Sequence, residues 1–235
     1  MKSLAEHNNS NHNRLDAKQH IFDTAKELFY RDGYESTTMR KIAQTAGVST
    51  GLPIYYFGSK EALGVEIYKE FRKKLYKACQ LLYPLNTHAD MCRHFSTFCD
   101  CAILLENDSL KELFIHTAHA PEMDRFMQTI TRSPVQENQS THKYRLLNAL
   151  TVSSTKANIL RADLNSFDIA ITKDDLLSFL FYRYIRLLEP SLRDHIPELY
   201  HCFCENYRQF QIQLTERFHL VYNPDLSDIT QYRMP

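Results

Sequence analysis

Residues 38–57, Thr38-Met-Arg-Lys-Ile-Ala-Gln-Thr-Ala-Gly47-Val-Ser-Thr-Gly-Leu-Pro-Ile-Tyr-Tyr-Phe57, decide how this chain folds. They read as a short helix, a tight turn and a second short helix. Ile42, Ala43, Ala46 and Val48 are small or apolar where two helices must cross closely, and Gly47 accepts the positive φ that other residues resist. A unit of this shape presents the first turn of its second helix to a DNA major groove about 12 Å wide. Spacing alone leaves a second possibility open, a helical hairpin in some other bundle.

The flanking segments extend the helical pattern. Residues 15–32 place apolar side chains at 15, 21, 22, 25, 28 and 29, a stripe at helical period that Gly33 can stop. Thr37 or Thr38 can cap the second helix, Met39 to about Ala46, and Ser49 can cap a third running to about Phe57. Ser59 caps a fourth, whose stripe of Leu63, Ile67, Phe71, Leu75 and Ala78 extends towards Leu82 before Pro84. Beyond Pro84 the spacing predicts helices at about 88–106, 109–119, 122–131, 138–161, 173–189 and 197–220. The last carries Leu199, Phe203, Tyr207, Phe210, Leu214 and Phe218 at intervals of three or four, and Pro134, Pro190 and Pro197 fall in the joints.

Composition agrees with an all-α protein. The 235 residues are 43% hydrophobic and 24% charged, with only 5 Gly and 8 Pro. A chain rich in β-turns would need more of both. No apolar run approaches the roughly 18 residues of a membrane span, and the polar start MKSLAEHNNSNHNR is not a secretory signal. A cytoplasmic location is expected. Net charge is zero, so any DNA contact must rest on a local basic face. Within 14–60, seven cations (Arg14, Lys18, Lys26, Arg31, Arg40, Lys41, Lys60) face five carboxylates. That small excess decides nothing by itself.

A dense, in-register set of residues over 18–67 goes further: Ile21, Ala25, Leu28-Phe29, Gly33-Tyr34, Thr37-Thr38, Ile42-Ala43, Ala46-Gly47-Val48-Ser49, Gly51, Tyr55-Tyr56-Phe57 and Ser59-Lys60-Glu61-Ala62-Leu63. This segment resembles the tetracycline-repressor-like (TetR) family of bacterial transcription regulators. The resemblance covers about 50 of the 235 residues. It implies a three-helix helix-turn-helix domain followed by a helical domain for ligand binding and dimerisation. The corresponding division is a disordered tail at 1–13, the DNA-binding domain at 14–60, the sensing and dimerising domain at 61–220 and a tail at 221–235. Carried over by position, Arg40, Thr50, Gly51, Leu52 and Ile54 contact base edges, whereas Thr38, Tyr55, Tyr56 and Lys60 contact phosphates. Arg40 can grip guanine O6 and N7 together, and the phosphate contacts set register rather than sequence. Two positions depart from the family: many members have an aromatic residue at Ile54, and Pro53 removes a backbone donor early in the recognition helix.

Aromatic and sulfur-bearing residues dominate the second half. The resemblance implies an apolar pocket there, for which the candidates are Phe95, Phe98, Phe114, His116, His119, Met123, Phe126, Met127, Tyr144 and Arg183, with Arg186 a further polar group. A core filled by the same residues is the competing reading. No cofactor is implied, and no metal site is assigned. Cys92, His94, Cys99 and Cys101 share one predicted helix, and His201-Cys202-x-Cys204 another, but structural zinc favours two-residue gaps between cysteines. No nucleophile-plus-base pattern, phosphate loop or His-Glu-x-x-His appears, so the chain is not expected to be an enzyme.

The last two long helices are the expected dimer surface: the apolar residues between Leu176 and Leu188 lie nearly all round their helix, which suits a homodimer built as a four-helix interface, with a buried central helix of the monomer the competing reading. The expected protein is thus a repressor on a near-palindromic operator, released by a small-molecule effector of apolar or aromatic character. A metal- or thiol-responsive sensor on this fold, or an interaction protein that has lost DNA binding, are the alternatives.

Overall fold

The computed structural model describes residues 4–130, 139–163 and 168–223, with side chains for 15–130, 143–163 and 168–223. The chain runs α1 (Leu4–Asp32), α2 (Met39–Thr45), α3 (Leu52–Phe57), α4 (Lys60–Leu82), α5 (Leu85–Glu106), α6 (Asp108–Thr117), α7 (Pro121–Ile130), α8 (Gln139–Arg161), α9 (Lys173–Leu188) and α10 (Ile196–Phe210). A small antiparallel hairpin follows, β1 (Gln213–Thr215) paired with β2 (His219–Val221). The architecture is all-α apart from that hairpin, with an N-terminal helix-turn-helix and a C-terminal helical domain. No helix among the described residues is long and apolar enough to cross a membrane.

Local chemistry sets the first boundaries. The Thr38 hydroxyl accepts the Lys41 amide at 3.1 Å and caps α2, and the Ser59 hydroxyl accepts the Ala62 amide at 3.0 Å and caps α4. Gly33, Gly47 and Gly58 all sit at positive φ, where they end α1, α2 and α3. Ser49 is not a side-chain cap. The N-cap of α3 is Gly51, which has no side chain to offer, and Ser49 contributes its carbonyl to the Leu52 amide instead. Pro53 sits in the first turn of α3, where its missing donor is one of the helix's unpaired amides anyway.

Three helices form the head. Ile42 and Ala43 of α2 are buried against α1, whose inner face offers Ile21, Ala25, Leu28 and Phe29. In the larger domain α5 is the central element, with Cys92, Phe95, Phe98, Cys99 and Leu104 fully enclosed by α4, α9 and α10. The regular part of α5 begins after a kink at His88, close to the start that its spacing predicts.

The segment 197–220 departs from the expected single helix. α10 stops at Phe210 because Gln211 adopts a left-handed conformation at φ 48°. Leu214 and Phe218 keep the helical spacing but belong to the hairpin, whose turn buries Phe218 edge-on against Tyr30 of α1 at 5.5 Å. Arg217 adds an ion pair to Glu27 of the same helix at 2.6 Å. The tail expected over 221–235 lies outside the described residues from 224 onward.

Gly64, on α4, allows the closest approach between α4 and α6. A Cβ there would lie 2.7 Å from Thr117 Cγ2 and 3.0 Å from the Tyr34 ring. Gly64→Ala is therefore expected to destabilise the protein by about 1–3 kcal/mol through overpacking. Gly51→Ala, with nothing within 4 Å of its new methyl, is expected to change stability by about 0.5 kcal/mol or less. Urea denaturation of both variants checks the pair.

Candidate functional site

The head exposes one coherent face. Arg40, Gln44 and Thr45 of α2, Ser49, Thr50 and Gly51 of the turn, and Ile54 and Tyr55 of α3 are all solvent-exposed. Leu52 and Tyr56 are half-buried and pack on the core, and Pro53 is buried. The Thr38 oxygen is used in capping, which leaves its own O–H to donate outward. Backbone bonds from Val48 N–H to Ala43 O and from Tyr55 N–H to Gly51 O hold the turn and α3 in place.

Charge on this face is scarcer than the sequence suggests. Lys26 pairs with Glu70 at 3.0 Å, Arg31 with Asp32 at 2.7 Å and Lys41 with Asp32 at 2.9 Å. Lys60 donates to the carbonyls of Tyr34 and Thr37, both at 3.0 Å, and its ammonium lies 4.3 Å over the Tyr34 ring. Its three donors are thus two-thirds committed to fastening α4 to the loop between α1 and α2. Among the described residues of the head, Arg40 and Lys18 are the cations that carry no ion pair or hydrogen bond; Lys18 stands 5.4 Å over the Phe57 ring.

The larger domain holds a cavity of about 560 Å³ between α4, α5, α7, α8 and α9. Phe114, Phe126 and Met127 of the expected pocket set line it. The others lie elsewhere. Phe95 and Phe98 belong to an aromatic core with Phe181 and Phe203, and Met123 is buried away from the cavity. His116 stacks on Tyr34 at 5.3 Å, His119 is exposed beyond α6, Tyr144 is exposed on α8, and Arg183 and Arg186 border a separate depression on the outer face of α9.

The cavity's charged wall escaped the sequence reading. Asp100 is almost fully buried and gathers three helices: Tyr68 O–H donates to it at 2.7 Å, Lys156 Nζ at 2.6 Å, and the Arg72 guanidinium lies 3.3 Å away. Burial would push this carboxyl up, but Arg72 and Lys156 outweigh it and hold Asp100 below its ordinary value of 3.8. Lys156 also sits 4.3 Å over the Phe114 ring. At the other end, Glu189 pairs with Arg93 at 2.9 Å and Arg145 at 3.8 Å. One signal was present in the sequence: Asp100 stands between two cysteines inside an otherwise apolar run, Phe98-Cys-Asp-Cys-Ala-Ile-Leu-Leu105.

The cysteines do not favour thiol chemistry. Cys79, Cys92, Cys99 and Cys101 are buried, and burial pushes Cys92 up to about 12 and Cys101 up to about 11. The Cys92 and Cys101 thiols therefore stay protonated at neutral pH, whereas the reactive form is the thiolate. Among the described residues, one grouping has donor atoms close enough for a metal, Glu35, Glu112 and His116, and it contains no cysteine. Its Glu112 carboxylate already accepts the Glu35 amide at 2.8 Å.

A depressed carboxyl adds stability above its ordinary value and loses it as pH falls through its folded value. Asp100→Asn is therefore expected to cost about 3–5 kcal/mol at neutral pH, because it strands two buried cations. It is also expected to flatten the fall in stability on acidification. Urea titrations from neutral to acid pH measure both effects.

Comparison with known proteins bears on the head. Residues 21–67 match the family described as bacterial regulatory proteins, tetR family. The chain is similar to the HTH-type transcriptional regulator AcrR of Shigella flexneri, 39% identical over 54 residues, which are 23% of this chain and 25% of that protein. It is similar also to the HTH-type transcriptional repressor AcnR of Corynebacterium efficiens, 32% identical over 56 residues, 24% of this chain and 30% of that one. The likeness thus spans less than a third of either relative. Among solved structures, a gamma-butyrolactone receptor (ArpA-like protein) aligns with 82% of this chain and 98% of its own at 18% identity and a TM-score of 0.42. CprB from S. coelicolor A3(2), a TetR family protein, aligns with 80% of this chain and 97% of its own at 22% identity and a TM-score of 0.39. The helix-turn-helix segment 21–67 is thus similar to the bacterial regulatory proteins of the tetR family.

Proposed function

We propose that this protein is a homodimeric transcriptional repressor that leaves a near-palindromic operator when a small molecule fills the cavity. The exposed, unpaired Arg40 at the centre of the head carries this reading. Thr50, Gly51 and Ile54 stand beside it for base edges, and Thr38 and Tyr55 for phosphates. Leu52 and Tyr56 are half-withdrawn into the core, and Lys60 has one donor left for a phosphate. Domain limits of 14–60 and 61–220 fit this division of labour, except that β2 carries the second unit on to Val221.

α4 supplies the coupling. Its first residue is tied to the head through the Tyr34 and Thr37 carbonyls, and three turns later Tyr68, Arg72 and Tyr76 line the cavity. A ligand that prefers one tilt of α4 changes the spacing of two heads, and only that difference in affinity is required.

For the dimer, the free faces favour α8 with α9 rather than α9 with α10. The face that α10 turns outward bears Glu198, His201, Glu205 and Arg208, all polar. α8 exposes Tyr144 and Leu147, α9 exposes Phe179, and Asn148 joins the two helices through the Leu187 carbonyl at 2.9 Å. Paired across a two-fold axis, such helices make a four-helix interface.

Binding to DNA from the chain's own upstream region, followed by fluorescence anisotropy, tests the proposal. Affinity is expected to fall steeply with salt. Arg40→Ala is expected to erase about 1–3 kcal/mol of discrimination at one base pair per half-site. No binding above that to unrelated DNA overturns the reading. Phe179→Glu is expected to shift the protein from dimer to monomer in light scattering and to abolish preference for a two-half-site operator.

A further inference from the structure

We propose that the cavity takes an amphipathic organic anion, a carboxylate or similar acid head on an apolar body. This deepens the regulatory reading above and rests on it only for the ligand's effect on DNA.

The cavity wall is unevenly charged. Lys69, Arg72, Lys73, Arg93, Arg145 and Lys156 line it against two carboxylates, Asp100 and Glu189. Both carboxylates are already engaged. Tyr68 and Arg72 take one Asp100 oxygen and Lys156 the other, while Arg93 and Arg145 converge on Glu189. A cationic ligand would find no carboxylate without a protein partner. Lys69 is paired with Glu66 outside the wall and Arg93 also with Asp90, whereas Arg72 and Lys156 must share Asp100. In the buried part the surplus is sharpest, since Arg72 and Lys156 have one carboxylate between them and Lys156 is 8% exposed. An unneutralised charge in such a place is costly unless something pairs with it.

A second observation points to the same spot. Ser153 lies one helical turn before Lys156 on α8, lines the cavity and is 5% exposed, yet its hydroxyl has no hydrogen-bond partner among the described residues. Buried hydroxyls are rarely left so. A carboxylate beside Lys156 and Arg72 would accept that O–H. The rest of the wall is apolar, from Phe114, Phe126, Met127, Ile130, Val152 and Leu188, which suits an alkyl or aryl body.

The test is calorimetry on the DNA-free protein at neutral pH with three matched series: n-alkyl carboxylates from hexanoate to tetradecanoate, the corresponding alcohols, and the corresponding alkyltrimethylammonium salts. Some carboxylate is expected to bind about tenfold or more tightly than its alcohol, as a charge-assisted hydrogen bond allows, with the ammonium series weakest. Lys156→Met, which leaves Arg72 and Asp100 matched one to one, is expected to remove that preference and spare alcohol binding. Ser153→Ala, a change too small to disturb folding, is expected to weaken the best carboxylate about three- to tenfold. Alcohols or ammonium salts that equal or exceed the carboxylates on the unmodified protein overturn the proposal, whatever the variants do. Adding the best carboxylate to the complex with upstream DNA then separates the two claims. Release of the DNA supports both; carboxylate binding by a protein that never binds the DNA leaves the anion class standing and removes the regulatory reading.

Discussion

The buried carboxylate of Asp100 is the point at which the larger domain is tied together. Through Tyr68 and Arg72 it holds α4, through Lys156 it holds α8, and it stands on α5, the helix that most of the domain encloses. α8 is distant in sequence from the consecutive helices α4 and α5, and packing alone would let it slide over them. A charge-assisted hydrogen bond of 2.6 Å from Lys156 and an ion pair of 3.3 Å with Arg72 fix their register at one height. The same fixture shapes the cavity, because the residues that converge on Asp100 are also its floor. Stability and the shape of the cavity are therefore coupled at one site, and a change in the charge there acts on both.

The head is organised on the opposite plan. Its cations are mostly spent on the protein itself: Lys26, Arg31 and Lys41 on carboxylates, Lys60 on backbone carbonyls. What remains outward is sparse, with Arg40 at its centre. A weakly charged head gains less from general attraction to phosphate and depends more on the few side chains that meet base edges. Its geometry is correspondingly stiff, with glycines at φ 65° and 80° flanking the turn and α3.

How far the sequence spoke follows from the range of the interactions. Caps and stops act within four residues, so Ser59, Gly33 and Gly47 could be placed by inspection and the cap of α2 narrowed to Thr37 or Thr38, and with them the order of the first four helices. Ser49 misled because Gly51 starts α3 without a side-chain cap. α10 could not be ended correctly, since Leu214 and Phe218 continue its spacing while Gln211 turns the chain away. The cavity was the least legible part. Arg72, Asp100 and Lys156 are 28 and 56 residues apart and each looks, alone, like a surface charge. The aromatic residues chosen for the pocket divided between cavity wall and core because composition cannot say which side of a helix faces a void.

The hairpin after α10 has a consequence for how the molecule is made. Phe218 and Arg217 close onto Tyr30 and Glu27 of α1, a contact across 190 positions of the chain. Synthesis delivers the N-terminus first, at a few residues per second. The head's own helices can form early, since their contacts are local, but α1 lacks one of its covers until residues 217–218 have emerged. The nascent head therefore waits with apolar surface around Tyr30 open, and its last packing step comes with completion of the larger domain. The fold itself orders assembly, because the head is finished only when the segment after α10 has folded back onto α1.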